Sequence, residues 1–170
     1  MTELVVRPMG SADNEEVLDM LQPVFAAGDT YAIDTDMSRA ETLAYWTGGG
    51  HEAFVVEANE DGRTQLLGTY YLCQNHKGGG AHVCNCGFVT AAAARGKGVA
   101  RTMLEHALKT APERGFRAMQ FNFVVSTNTR AIAIWQSYGF DIAGRLPGAF
   151  NHPSHGYVDA LVMYKDLTQA

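Results

Sequence analysis

No stretch of this 170-residue chain is apolar for long enough to span a membrane, none repeats, and none is compositionally simple. A spanning helix needs about 20 consecutive apolar residues, so a membrane protein of that kind is excluded. The lack of repeats and of any linker-like tract leaves a single domain over residues 1–170, long enough for a substantial core. Residues 1–7 carry no extended apolar run, and neither a secretory leader nor an anchor is expected there. Cysteine is scarce and odd in number: Cys73, Cys84 and Cys86. Without a secretion signal, that pattern points to reduced thiols and a cytoplasmic location rather than a disulfide framework. Positive charge is in deficit, with 13 Lys and Arg against 18 Asp and Glu and a net charge of −5. That balance disfavours nonspecific nucleic-acid binding and is compatible with cationic amine substrates. A hydrophobic fraction of 46% and modest charge exclude a disordered chain.

What is present is an alternation of short apolar strands with amphipathic helices. Leu4, Val5 and Val6 open a first strand. Residues 11–27 read as a helix, capped by Ser11 or Asp13, with Val17, Met20, Leu21, Val24 and Phe25 at helical spacing. A second helix over 38–47 starts at Ser38 with Glu41 three residues later, a capping-box spacing, and three glycines from Gly48 end it. Residues 53–58 and 65–73 are strands joined by the turn Asn59-Glu60-Asp61-Gly62. Gly78-Gly79-Gly80 is a flexible turn into a strand over 82–90. A helix follows Gly98, its stripe formed by Val99, Met103, Ala107 and Ala111, and ends near Pro112 or Gly115. Strands over 118–125, 140–146 and 157–164 complete the pattern, and residues 147–156 form a Pro/Gly loop between the last two. Strands and helices in this order suit one twisted α/β sheet with helices on both faces.

The most informative segment is Arg95-Gly96-Lys97-Gly98-Val99-Ala100, set between a strand and a helix start. The free N–H groups of a helix's first turn and its positive dipole end bind anions. Glycine at 96 and 98 lets backbone approach a bulky pyrophosphate, and Arg95 and Lys97 add positive charge. A P-loop is excluded because Ala91 lies five residues before Gly96 and Lys97 is followed by Gly98. A dinucleotide fingerprint is excluded because its third glycine would fall on Arg101. What remains, Arg-x-x-Gly-x-Ala, resembles the acetyl-CoA pyrophosphate loop of the GNAT superfamily of N-acetyltransferases. Downstream, Asn128, Ala131, Gly139 and Phe140 match that superfamily's Asn-x-x-Ala-x-x-x-Tyr-x-x-x-Gly-Phe, with Trp135 in place of the tyrosine.

The resemblance implies a mixed sheet whose fourth and fifth strands splay apart, with the acyl-pantetheine arm in the wedge. It places Phe88, Val89 and Thr90 along that arm, the pyrophosphate on residues 95–100, and Asn128 and Trp135 near the thioester. One amide of the fourth strand would donate to the thioester carbonyl. Asn128 also fits a plain helix N-cap. The chemistry is attack of a neutral amine on the thioester, which needs alignment, deprotonation and oxyanion stabilisation but no covalent enzyme intermediate. Cys84 and Cys86 alternate with Asn85, so both thiols share one strand face. With His82 they converge poorly on a metal ion, and no metal is expected. An indole is no acid, so Trp135 leaves two alternatives: Tyr138 protonates the thiolate, or no dedicated acid is used, since a thiol of pKa about 8.5 leaves readily.

A narrower resemblance rests on Asn85, on Phe121-Asn122 and on Asn128, which look like the asparagine set of the fungal proline-analogue N-acetyltransferases. That family implies catalytic and substrate-binding roles for Asn85 and Asn122. Residues 156–163 resemble the phosphinothricin-type amino-acid acetyltransferases. Both imply a small amino or imino acid as acceptor, and a homodimer is expected. Tyr31 and His152, with His155 beside it, fall near the expected acceptor mouth as substrate-binding candidates; each also fits a packing or solvated role. A protein or peptide N-acetyltransferase and a non-catalytic acyl-CoA sensor remain the alternatives.

Overall fold

The computed structural model describes residues 2–169. Its strands are β1 (Leu4–Pro8), β2 (Glu52–Glu60), β3 (Arg63–Gln74), β4 (Val83–Thr90), β5 (Ala118–Val125), β6 (Asp141–His152) and β7 (Gly156–Asp166). The α-helices are α1 (Asn14–Ala27), α2 (Arg39–Thr47), α3 (Val99–Glu113) and α4 (Thr129–Ser137). The strands form one sheet in the order β1-β2-β3-β4-β5-β7-β6, antiparallel at every junction except β4 with β5. Alternation along each strand sends side chains to two cores. On one face Val17, Leu21 and Phe25 of α1 and Trp46 of α2 pack on Val55, Leu66, Tyr71 and Val89. On the other, Val99, Met103 and Leu104 of α3 and Trp135 of α4 pack on Leu72, Cys84, Met119 and Phe121. The expected mixed sheet with helices on both faces is present, and strand positions agree to within a few residues up to β5.

Two local expectations are corrected. Residues 147–156 are not a loop: β6 runs through Pro147 to His152, and β7 begins at Gly156. β6 is an edge strand, where a proline costs no ladder bond, and the register shift between Leu146 and Phe150 takes up Pro147. The first helix opens with a 3-10 turn at Ser11–Asp13, and neither Ser11 nor Asp13 caps it through a side chain. The glycine run 78–80 forms a 3-10 turn as well. By contrast, Ser38 caps α2 as the sequence pattern requires: its Oγ accepts from Glu41 N, and the Glu41 carboxylate accepts from Ser38 N.

Asp13 serves instead as the anchor between the first helix and β1. Its carboxylate accepts two hydrogen bonds of 2.9 Å from Arg7 and one of 2.8 Å from Gly10 N, while Arg7 Nε donates to Glu57 on β2. The Arg7 hydrogen bonds, with Gly10 assisting against burial, hold the Asp13 carboxyl below its ordinary value. A depressed carboxylate contributes stability that is present above about pH 4 and lost as pH falls through its folded value. Asp13→Ala leaves Gly10 N without its acceptor and Arg7 with Glu57 as its one carboxylate partner, and is expected to cost about 1–3 kcal/mol at pH 7, a melting-point drop of several degrees. The gap from wild type should narrow as the pH is lowered to about 3; a gap independent of pH would contradict this role.

Candidate active site

The site begins where the sheet fails to close. β4 and β5 pair only at Val83↔Ala118 and Cys84↔Met119. Beyond these residues β5 continues against β7 and β4 against β3, leaving a wedge between them. The register fixes which peptide groups face it. Val83 O accepts from Asn75 N and Ala91 N donates to Leu67 O, so odd-numbered residues of β4 address β3. His82 O accepts from Arg117 N, so even-numbered residues address the β5 side. Cys86, Phe88 and Thr90 therefore turn their N–H and C=O groups into the wedge, whereas Val89 pairs with Thr69 and buries its side chain. Of the three positions expected along an acyl arm, Phe88 and Thr90 have the right phase and Val89 does not.

One wall of the wedge is aromatic. Trp135, buried on α4, lies 5.2 Å from both the Phe88 and Phe121 ring centroids, and Phe121 stacks on Phe140 at 4.6 Å. Asn128 precedes α4, but its side chain makes no capping hydrogen bond, so the plain N-cap reading is not realised. Tyr138 does not join the wall through its hydroxyl, which donates to Glu105 Oε1 on α3 at 2.6 Å. That hydrogen bond raises the Tyr138 pKa.

At one end of β4 the chain turns through Arg95 and Gly96 into α3. Gly96 and Gly98 both have φ of +80°, a conformation that a Cβ disfavours. At Gly98 a Cβ would meet nothing within 4 Å, so the surface beside it is open. Lys97 N donates to Ala94 O and Thr102 N to Gly98 O. The N–H groups of Gly98, Val99, Ala100 and Arg101 have no such partner among the described residues and converge on that surface. No acidic residue occupies the first turn of α3. Arg95, Lys97 and Arg101 are exposed around it, and an Arg130 guanidinium nitrogen from α4 reaches to 3.9 Å from where a Gly96 Cβ would stand. Sequence reading missed Arg130, although its place two residues after Asn128 put it on the turn of α4 facing the loop.

The opposite face of the wedge is rich in amides. Asn85 alternates with buried Cys84 and Cys86 and so faces the α1/α2 side, as does Asn122 opposite Phe121. Asn122 Oδ1 accepts from Gln120 Nε2 at 2.9 Å and from Asn75 Nδ2 at 3.1 Å, and Asn122 Nδ2 donates to Asn75 Oδ1 at 2.6 Å. Asn75 and Gln120 were not singled out from sequence; period-2 alternation on β5 would have found Gln120, but nothing local marks Asn75. Tyr31, from the segment between α1 and α2, donates its hydroxyl to Phe88 O at 2.9 Å. Burial first, then Tyr45, pushes its pKa far up. Tyr71 lies across Gly87 on this same face, with a Gly87 Cβ position only 2.5 Å from its Cε1 and 3.0 Å from its Oη.

His152 is the last residue of β6, not a loop residue; its Nδ1 accepts from Ser154 N and His155 N, leaving Nε2 to carry the proton in the neutral ring. Phe150 sits between it and Phe123, at centroid distances of 6.3 and 6.1 Å. His155 is exposed in the hairpin turn. The cysteines offer no nucleophile: burial raises the Cys86 pKa well above its usual value and pushes Cys73 up to about 11. No group of three His, Cys, Asp or Glu side chains able to hold a metal occurs among the described residues. Two open surface pockets, of about 310 Å³ at Met9, Leu43 and His51 and about 230 Å³ at Glu52, Cys73 and Arg114, lie away from the wedge. The wedge is an open cleft between β4 and β5.

The model of the GNAT family of acetyltransferases matches residues 15–140, which takes in β4, the glycine turn, β5 and α4. The chain belongs to this family. It is 32% identical over 148 residues to the N-acetyltransferase aca1 of Schizosaccharomyces pombe, covering 79% of this chain and 71% of that protein. Among solved structures it is similar to a GCN5-related N-acetyltransferase from Kribbella flavida, at 39% identity and a TM-score of 0.89, covering 96% of this chain and 97% of the other. The fold is shared with a phosphinothricin acetyltransferase from Sinorhizobium meliloti solved with acetyl-CoA, at 21% identity and a TM-score of 0.81, covering 96% and 88% of the two chains.

An anion-binding role for the glycine turn is open to a direct test. Gly98→Val places a branched side chain in the open surface in front of four free N–H groups and strains a φ of +80°. The acetyl-CoA dissociation constant, measured by calorimetry, is expected to rise tenfold or more while the protein stays folded. Unchanged affinity would remove the loop from the site.

Proposed function

We propose that the enzyme transfers the acetyl group of acetyl-CoA to the primary or secondary amine of a small molecule, an amino or imino acid, by direct attack through a tetrahedral intermediate. The observation that carries this reading is the wedge. It offers a peptide edge whose Phe88 and Thr90 N–H groups are unpaired, with an anion-binding turn at one end, and it opens onto an amide-lined face. Gly96, Gly98, Val99 and Ala100, helped by Arg95, Lys97 and Arg130, would receive the pyrophosphate. The N–H groups of Phe88 and Thr90 would pair with the acyl arm, and Asn128 and Trp135 would bound the thioester end.

The reaction needs little else from the protein. The acceptor nitrogen attacks the thioester carbon, a C–N bond forms, and charge builds on the carbonyl oxygen. A wedge-facing amide of β4 donates to that oxygen. The C–S bond then breaks and the thiolate departs, while the amine proton passes to water held at Asn85. With Tyr138 committed to Glu105 and a thiol pKa near ~8.5, no dedicated acid is assigned. Trp135 then acts by packing, shaping the wedge with its apolar surface.

Asn85 and Asn122 are assigned to the acceptor because they face away from the α3/α4 side that carries the glycine turn. Tyr31 closes the same mouth from the α1–α2 segment, and His152 bounds its far end beyond Phe150. We also infer a cytoplasmic homodimer: the three cysteines are free thiols, and β6, at an edge of the sheet, exposes Ile142 and Leu146.

The test is turnover of L-amino acids, L-proline and simple alkylamines with acetyl-CoA, followed by thiol release. At least one amino or imino acid is expected to be acetylated. Asn85→Ala and Asn122→Ala should each lower turnover at least tenfold and leave acetyl-CoA affinity within a few-fold. Acetylation of peptides alone would replace the small-molecule reading. Loss of acetyl-CoA binding in proportion to activity would move both asparagines to the cofactor.

A further inference from the structure

Tyr71 is a side chain on the acceptor face that no resemblance points to. It is the direct cross-strand neighbour of Gly87, and β4 follows the order Asn85, Gly87, Val89 on that face. Because residue 87 has no Cβ, the Tyr71 ring lies over the β4 backbone instead of standing upright. A Cβ there would sit 2.5 Å from Cε1, 2.8 Å from Cζ and 3.0 Å from Oη. The hydroxyl is thereby carried from β3 to a place over β4, 3.0 Å from where a residue-87 Cβ would stand.

The ring is held there from several sides. His51 stacks on it at 3.9 Å with an interplanar angle of 6°, and Trp46 meets it edge-on at 4.9 Å. His51 is itself pinned, its Nδ1 donating to Trp46 O at 3.2 Å, and burial lowers its pKa so that it stays neutral. Tyr71 is 5% exposed. Tyr45, Tyr31 and Cys73 are the titratable groups around it, and burial keeps its phenol protonated. A neutral phenol oxygen is a hydrogen-bond acceptor as well as a donor.

We infer that the Tyr71 hydroxyl receives an N–H of the acceptor amine and thereby aims the nitrogen lone pair at the thioester carbon, with Gly87 serving to let the phenol lie across β4. This rests on the acceptor-side reading above. The hydroxyl takes no proton: the N–C bond forms, the C–S bond breaks, and the amine proton still leaves to water. Tyr71 is a positioning group for the nucleophile, and its contribution lies in orientation.

Tyr71→Phe deletes one oxygen atom and keeps the packing on His51 and Trp46. For the acceptor that the wild type acetylates best in the amino-acid, L-proline and alkylamine set, kcat/KM is expected to fall about tenfold to a hundredfold. The acetyl-CoA dissociation constant should stay within twofold and the melting temperature within a few degrees. Gly87→Ala moves the hydroxyl instead of deleting it and should give the same split between acceptor and cofactor constants, so the idea stays testable if one variant folds poorly. Acceptor kcat/KM unchanged in a folded Tyr71→Phe enzyme would overturn this inference while leaving the acetyltransfer reading intact. Equal losses of acceptor and acetyl-CoA binding would also overturn it. A wild type that acetylates none of the amines would overturn both.

Discussion

The rest of the structure depends on a strand pair that is abandoned after two residues. β4 and β5 hold each other at Val83↔Ala118 and Cys84↔Met119 and then part. Each keeps its other neighbour, β3 for β4 and β7 for β5. Peptide groups in the middle of a sheet are normally paired on both sides, and leaving one buried and unpaired costs about 1–3 kcal/mol. The wedge therefore stays open to a partner that carries its own donors and acceptors. An acyl-pantetheine arm, with amides along its length, is such a partner in the proposed reading.

The two faces of the sheet divide the labour. On the α3/α4 side, α3 supplies free N–H groups at Gly98 and the next three residues, four cationic side chains surround them, and Trp135 with Phe121 and Phe140 makes a rigid wall. On the α1/α2 side, Asn75, Asn122 and Gln120 bond to one another, while Tyr31 closes on Phe88 O. Cofactor and acceptor would then approach the same β4 edge from opposite sides, which places the attacking nitrogen and the thioester carbonyl within reach without a covalent intermediate.

Much of this was legible in the sequence. The strand–turn–helix around Arg95 and Gly98 carried its own physics: two glycines where φ is positive and basic residues beside a free helix start. The capping box at Ser38 and Glu41 and the alternation of Cys84, Asn85 and Cys86 were equally local. The misses involve residues whose place is set by distant partners. Asn75 lies past the end of β3 and gains meaning only through Asn122, 47 positions away. Tyr71 reads as one apolar residue in a buried strand until Gly87 is laid opposite it. Pro147 and Gly148 read as a loop, yet on a free edge they are tolerated inside β6, so His152 ends a strand. Val89 was out of phase because hydrogen-bonding direction follows the pairing partner, which sequence does not name.

The central claim is that acetyl-CoA completes the open edge of β4. Amide hydrogen exchange, followed residue by residue with and without acetyl-CoA, tests it most directly. In the free protein Val89, paired with Thr69, should exchange slowly, and Phe88 and Thr90 quickly. Saturating acetyl-CoA should slow Phe88 and Thr90, and with them Gly98, Val99 and Ala100, by tenfold or more while leaving Val89 as it was. Protection that appears elsewhere, with Phe88 and Thr90 unchanged, would contradict the account.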